Sequence, residues 1–352
     1  MLHLRGETPE TLAAAFRGLP LAVARRVLHR VVGEDRDDLV GVRGLSKALA
    51  AQIEAGGRLD RLEVVDRRRS AVDPFVKYLF RSGDGRVFEA VRIPLEKPRY
   101  SVCLSSQVGC ALGCAFCETG RIGFLRNLEP WEMVEQALTV RRESPERPLT
   151  GAVFQGQGEP LLNYDNVIRA ARVLRDPAGA RIGSDRITIS TVGLLPQIER
   201  YTEEGHPYRL ILSLTSAFSE KRARLVPLTS RYGVPELASA MRRHAAARGG
   251  PVNLAWVLIS GFNTGPEEAR ELARLFRGVS VRLSVIDVND PAGAFARASD
   301  EERGRFLSAL SENGLGFVRR YSGGLDIDAA CGMLASRSRG GAVHEPPAAS
   351  AS

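Results

Sequence analysis

The chain has 352 residues, 44% of them hydrophobic, which is enough to bury a sizeable core in one large domain or in a domain with an appendage. No apolar run reaches the roughly 20 residues a membrane span needs, and Glu7, Pro9 and Glu10 stand where a signal peptide would be apolar, so a cytoplasmic protein with reduced cysteines is expected. A formal net charge of +8 and a pI near 9.6 argue for a polyanionic partner, nucleic acid first, although the short clusters at Arg67–Arg69 and Arg242–His244 carry no separate signal.

The first 60 residues read as helical. Thr8-Pro9-Glu10 has the form of an N-cap, a proline at the first helical position and an acid in the first turn. Leu12, Phe16, Val23, Val27 and Val31 recur near helical spacing, a second periodic run covers 45–53, and Gly56-Gly57 ends it. This predicts a helical accessory module over 1–58. From 59 to 95 the period changes to that of strands, with runs at 62–65, 76–80 and 87–91 and a Gly83-Asp84-Gly85 turn, predicting a small antiparallel linker sheet.

From about residue 96 to 335 strand and helix patterns alternate. Strands are expected at 151–155, 186–191, 209–214, 252–259, 279–288 and 316–321, with helices at 130–142, 164–175, 194–203, 234–248, 266–277 and 299–313. This rhythm predicts an α/β fold with a parallel sheet or barrel and helices outside. Residues 336–352, rich in Gly, Pro, Ser and Ala, are expected to be a disordered tail.

The most informative motif is Cys110-x3-Cys114-x2-Cys117. Three thiolates on one short loop can hold three irons of a 4Fe-4S cluster and leave the fourth open to a small molecule. Ferredoxin clusters use four cysteines and structural zinc sites four ligands, and His3, His29, His206, His244 and His344 all lie far away in sequence. A zinc site or incidental core cysteines remain the alternatives.

In parallel α/β folds the chemistry collects where strands end. Polar residues fall there: Gly156-Gln157-Gly158-Glu159-Pro160, Ser190-Thr191, Ser213-Leu214-Thr215, and Asp287 with Asn289. The cysteine loop follows a strand at 100–104 on the same face. Glu159 could hold the ammonium of an amino-acid derivative, and the serines and threonines its carboxylate or hydroxyls. Alone, each serine or threonine is an ordinary strand-end cap and the glycine-rich stretch an ordinary turn.

The three-cysteine loop resembles that of radical S-adenosylmethionine enzymes. More narrowly, the stretch from Cys103 through Ser105, Gln107 and Gly109 to Cys117 resembles the RlmN/Cfr family of RNA adenine methyltransferases. So do Gly158-Glu159-Pro160 with Asn163 to Asn166, Lys77 to Phe80 leading to Glu89 and Pro94, and Asp326 to Gly332. The resemblance implies a partial β/α barrel. It assigns the 4Fe-4S cluster to Cys110, Cys114 and Cys117, and S-adenosylmethionine to Gly158, Glu159, Ser190, Ser213, Leu214, Thr215 and Asn289. It makes Cys331 the carrier of a methyl group, Cys103 its partner in a transient disulfide, and Glu89 the proton acceptor.

Adenine ring carbons are poor nucleophiles, and the resemblance supplies a radical route to them. Two S-adenosylmethionine molecules are used per turnover, one to methylate Cys331 and one cleaved reductively to activate that methyl. The product is ribosomal or transfer RNA methylated at an adenine ring carbon, with carbon 2 favoured over carbon 8. A monomer served by an external electron donor such as a flavodoxin system is expected.

The chain departs from the family pattern at Gln157, Val192, Thr215, Glu118 and 284–291, where Asn289 or Asp287 could be the cofactor contact. A radical enzyme with a non-RNA substrate, or a non-catalytic RNA-binding protein with a structural metal, are the rival readings.

Overall fold

Ten strands follow one another across a single sheet in chain order, in this computed structural model, which describes residues 1–96 and 98–335 and the backbone of 337–338 and 341–342. The strands are β1 Glu63–Arg69, β2 Val76–Arg81, β3 Val87–Pro94, β4 Tyr100–Leu104, β5 Leu149–Phe154, β6 Ile187–Thr191, β7 Arg209–Ser213, β8 Val252–Leu258, β9 Val281–Asp287 and β10 Gly316–Arg319. Strands β4 to β10 pair in parallel, and β1 to β3 join antiparallel at one edge. Among the described residues β10 and β1 end the sheet without meeting, so the barrel is partial. The three antiparallel strands do not form a sheet of their own. Strand β3 pairs with β4, setting Val91 opposite Cys103.

Helices α1 Pro9–Ala15, α2 Leu21–Leu28 and α3 Lys47–Gly56 precede the sheet. Thr8 caps α1 by accepting from Thr11 N at 3.3 Å, and Leu12, Val27 and Val31 are fully buried. A buried Arg5 ties this segment together by donating to the carbonyls of Val31, Leu59, Asp60 and Arg36. His3 stacks on Trp131 with ring centroids 4.0 Å apart, seating the segment on the outer helices.

The crossovers carry α4 Glu118–Ile122, α5 Pro130–Arg142, α6 Tyr164–Arg175, α7 Leu195–Glu203, α8 Ser219–Leu225, α9 Val234–Arg248, α10 Pro266–Leu275 and α11 Asp300–Glu312. Alternation along each strand separates two environments. Val102 and Leu104, Ile187 and Ile189, Leu210 and Leu212, and Leu254, Trp256 and Leu258 point outward into the helix-covered core. Cys103, Thr188, Ser190, Ile211, Ser213 and Ala255 stand at the intervening positions and face the concave side.

The observed elements match the expected ones to within a few residues. Several were not foreseen: β1 continues through Arg67–Arg69, α4 follows the cysteine loop, α8 interrupts the long connection after β7, and short strands pair Leu2–His3 with Gly57–Arg58 and Gln107–Gly109 with Phe124–Asn127. Of the tail expected at 336–352, only a two-residue pairing of Arg337–Ser338 with Gly341–Ala342 is described, and the rest lies outside the described residues. No helix among the described residues is long and apolar enough to cross a membrane.

Candidate active site

The cysteine loop leaves the short strand Gln107–Gly109 and runs into α4. It is held by backbone bonds from Cys110 N to Gly123 O (2.9 Å), Ala115 N to Leu225 O (2.9 Å) and Cys117 N to Cys114 O (3.1 Å). Burial pushes the Cys110 thiol up to about 11 and Cys114 higher, and each also feels its neighbours' charge. Burial thus favours the neutral thiol at Cys110 and Cys114, and a bound iron cluster would reverse that by taking them as thiolates. Among the described residues no three His, Cys, Asp or Glu side chains converge as around a single ion. Cys110, Cys114 and Cys117 are the residues on this loop that would hold an iron cluster.

Glu159 sits directly beside this loop, nearly inaccessible at 3% exposure. Its carboxylate accepts from Leu161 N at 2.9 Å and Val192 N at 3.0 Å, and burial raises it to about 7 despite those bonds. Gly158 places it there. With φ at +91° and the Gln107 side chain 2.4 Å from where a Cβ would lie, only glycine fits. Ser190 is 7% exposed at the end of β6. Thr215 holds φ at +65°, unusual for a β-branched residue. Its hydroxyl is buried with no hydrogen-bond partner among the described residues. Thr215 therefore stands strained and with its buried hydroxyl unbonded beside Ser213 and Leu214.

A residue that the sequence did not single out organises this rim. Arg222, on α8, is fully buried. It donates to the carbonyls of Leu214 (2.8 Å), Ser213 (3.0 Å) and Val192, and to Thr229 Oγ1 (2.6 Å). One guanidinium thus fixes the backbone after β6 and after β7. Its only advance signal was an arginine two turns beyond Ser213-Leu214-Thr215, indistinguishable in sequence from a solvated helix residue.

The two remaining cysteines meet the loop in space. Cys103, Cys117 and Cys331 line one cavity of about 920 Å³ on the concave side of the sheet, with Phe75, Val91 and Gln155. All five cysteines are free thiols, so no disulfide joins Cys103 to Cys331 here. Burial and the neighbouring Cys331 push Cys103 well up. The Cys331 segment is docked on the cysteine loop: Glu118 N donates to Gly332 O (2.7 Å) and Thr119 Oγ1 to Leu334 O (2.7 Å). Ser322 Oγ accepts from Cys331 N and from Asn289 Nδ2, both at 3.0 Å. Asn289 is therefore beside Cys331, and Arg297 donates to its Oδ1. Asp287 turns away, toward Arg303 (3.6 Å) and Arg319 (3.4 Å).

Glu89 is fully buried, two residues before Val91 on the same face of β3. Lys77 Nζ lies 3.0 Å from its carboxylate and also donates to Asp328 O at 3.2 Å, linking Glu89 to the Cys331 segment. Gln157, buried completely, accepts from Glu89 N at 3.2 Å. The departure from the family pattern at this position thus serves the strand that carries Glu89. Glu118 is satisfied by Arg121 on the next turn of α4. Val192 packs with Cys114 and Phe116.

A partial barrel with three cysteines on the loop after its first parallel strand is the architecture of the radical SAM superfamily, whose sequence profile matches residues 104–276. A radical SAM methyltransferase from Sphaerobacter thermophilus, known from its crystal structure, superposes with a TM-score of 0.86 at 38% identity, over 96% of this chain and all of that one. A probable RNA methyltransferase of Anaeromyxobacter sp. (strain Fw109-5) is 48% identical over 344 residues, 96% of this chain and 100% of its own length. The dual-specificity RNA methyltransferase RlmN of Syntrophotalea carbinolica is 37% identical over 329 residues, 93% of this chain and 85% of its own length. The chain belongs to the RlmN-type RNA methyltransferase family of radical SAM proteins. Family membership implies a 4Fe-4S cluster and S-adenosylmethionine.

Proposed function

We propose that this protein is an RNA methyltransferase that carries a methyl group on Cys331 to ring carbon 2 of an adenine in ribosomal or transfer RNA. The observation that carries the reading is the meeting of Cys103, Cys117 and Cys331, from distant parts of the chain, on the walls of one cavity. When bound, the cluster and S-adenosylmethionine supply the electron and the radical that make a methyl reactive toward an unactivated ring carbon.

The chain's own residues do the rest. Glu159, with Ser190, Ser213, Leu214 and Thr215, holds the amino-acid end of the cofactor, with Asn289 at the edge nearest Cys331. The Cys331 thiolate would take the methyl of a first S-adenosylmethionine, which leaves as S-adenosylhomocysteine, and a second is consumed at each turnover. Once the carbon is joined to adenine, Glu89 takes the ring proton and one electron has to leave the adduct, for which the cluster, when bound, would be the acceptor. The Cys103 thiolate attacks the Cys331 sulfur, the sulfur–carbon pair leaves on the carbon, which is protonated to the product methyl, and the two sulfurs remain as a disulfide. Two thiols are required because a covalent link to the product has to be undone. An external donor such as a flavodoxin system then reduces the disulfide. In this reading the protein acts as a cytoplasmic monomer, with residues 1–58 as an accessory module, 59–95 as a linker and 96–335 as the catalytic barrel.

The test is mass spectrometry of the reconstituted protein and of total RNA with and without the gene. A methyl on Cys331 and a methyladenosine lost with the gene are expected. A Cys331 left unmodified after incubation with reductant and S-adenosylmethionine would overturn the reading. Cys331→Ala should abolish RNA methylation, and Cys103→Ala should accumulate a covalent protein–RNA adduct; free turnover by the latter would remove Cys103 from the role.

A further inference from the structure

The cavity that holds Cys331 also runs down to the N-terminal ends of the strands, and its lower wall is basic. Arg186 immediately precedes β6, Arg209 begins β7 and Arg282 is the second residue of β9. Arg186 and Arg209 line the cavity. Arg282 shares the concave face of β9 with Ser284 and Ile286, and Ile286 is also a lining residue. Arg320 comes from above. Its backbone N donates to Val285 O at 2.9 Å, and its side chain lies within electrostatic reach of both Cys331 and the Arg209–Arg282 pair.

None of the four guanidinium groups has a salt bridge or hydrogen bond among the described residues. The acids nearby are few: Asp185 and Glu96 share the lining, and Asp185 is the one that Arg209 feels. Arg209 and Arg320 are both held below the usual arginine range, chiefly by burial and also by their arginine neighbours. Arg126, half-buried like Arg209, is by contrast paired with Asp84 and Glu132. Arg209 is half-buried and Arg186, Arg282 and Arg320 reach solvent, so together they present a run of positive charge with no carboxylate partner that a bound anion would complement.

We propose that Arg186, Arg209, Arg282 and Arg320 form a phosphate-binding strip that receives the backbone of a single-stranded RNA segment while its adenine reaches up to Cys331. The inference rests on the methyltransferase reading and extends it to the path of the substrate. A base that undergoes chemistry has to leave its stack and enter a pocket, which carries its flanking phosphates to the pocket's mouth. The cofactor rim occupies the opposite, C-terminal ends of the strands, so the strip does not compete with it.

The test uses the full chain and a short RNA hairpin with an unpaired adenine in its loop. The paired change Arg209→Gln with Arg282→Gln should weaken binding roughly tenfold and reduce the slope of log K against log salt by about 1.4, two single-strand phosphate contacts. Arg209→Lys with Arg282→Lys should restore the slope. Wild-type affinity and slope in the Gln pair would overturn the proposal. A second measurement needs no variant: the hairpin should protect the four arginines of the wild-type protein from phenylglyoxal, mapped by mass spectrometry, and unprotected arginines in the complex would overturn it. Methyladenosine formation with the strip unprotected would remove the strip and leave the methyltransferase reading standing. Protection without any methyladenosine would do the reverse.

Discussion

Arg222 shows how much of the cofactor rim depends on one side chain outside it. Its guanidinium satisfies three backbone carbonyls and a threonine hydroxyl in a fully buried setting. Each acceptor left unbonded there costs about 1–3 kcal/mol. Arg222→Leu should therefore destabilise the protein by at least about 3 kcal/mol, read by chemical denaturation. The same variant should lose cofactor affinity in calorimetry, because the carbonyls it releases are those of Val192, Ser213 and Leu214. Glu159, by contrast, was conspicuous in sequence because Gly158-Glu159-Pro160 is a compact and unusual string. Arg222 was not, because its partners are backbone atoms and leave no side-chain pattern to read.

Among the elements, the segment from Ser322 to Leu334 is the one on which the chemistry turns. It has little regular structure of its own beyond a single turn of 3₁₀ helix at Leu325–Ile327, and it is placed by bonds to α4, to Asn289 and to Lys77. Gly332 has φ at +88°, and a Cβ there would lie 3.0 Å from Phe116 O in the cysteine loop. Gly332→Ala should displace the Cys331 turn and slow cofactor-dependent methylation of Cys331 by on the order of tenfold or more, followed by mass spectrometry. Thr119→Val should be milder. It removes one buried hydrogen bond, about 1 kcal/mol, and should appear as faster amide exchange in 326–334 with little change in the rest of the barrel.

For the whole molecule, acid sensitivity follows from two histidines buried in the neutral form. Burial lowers His3 to about 4 and His244 to about 4, from an ordinary value of 6.5. Below pH 6.5 the unfolded chain takes up these protons first, so stability is complete above that value and is lost as pH falls toward 4. Each group contributes up to roughly 3 kcal/mol of that loss. Between pH 6.5 and pH 4 these two histidines pull the denaturation midpoint down, against an opposing gain from protonating Glu159, which burial raises to about 7. His244→Gln, which leaves the basic lumen and the cysteine site untouched, should make the midpoint fall less between pH 6.5 and pH 4 than in the wild type. The net charge of +8 likewise has a specific location in part. The β1 arginines Arg67 and Arg68 are engaged with Glu143 and Asp66, whereas the strip inside the lumen is unpaired.

Periodicity and local spacing were enough to locate most of the strands and helices, the three-cysteine loop and the polar strand ends, because each is a property of a short stretch of chain. The family could be read from the same strings. Tertiary structure decided the rest. It continued β1 to β3 into the main sheet through the Val91–Cys103 pairing, brought Cys331 onto the cysteine loop, and selected Asn289 over Asp287 as the residue beside it. It also turned scattered arginines at strand starts into one inner wall. Contacts between residues hundreds of positions apart depend on how strands register and which face each presents to the concave side. That information is spread over the whole sheet and is not written in any one segment of it.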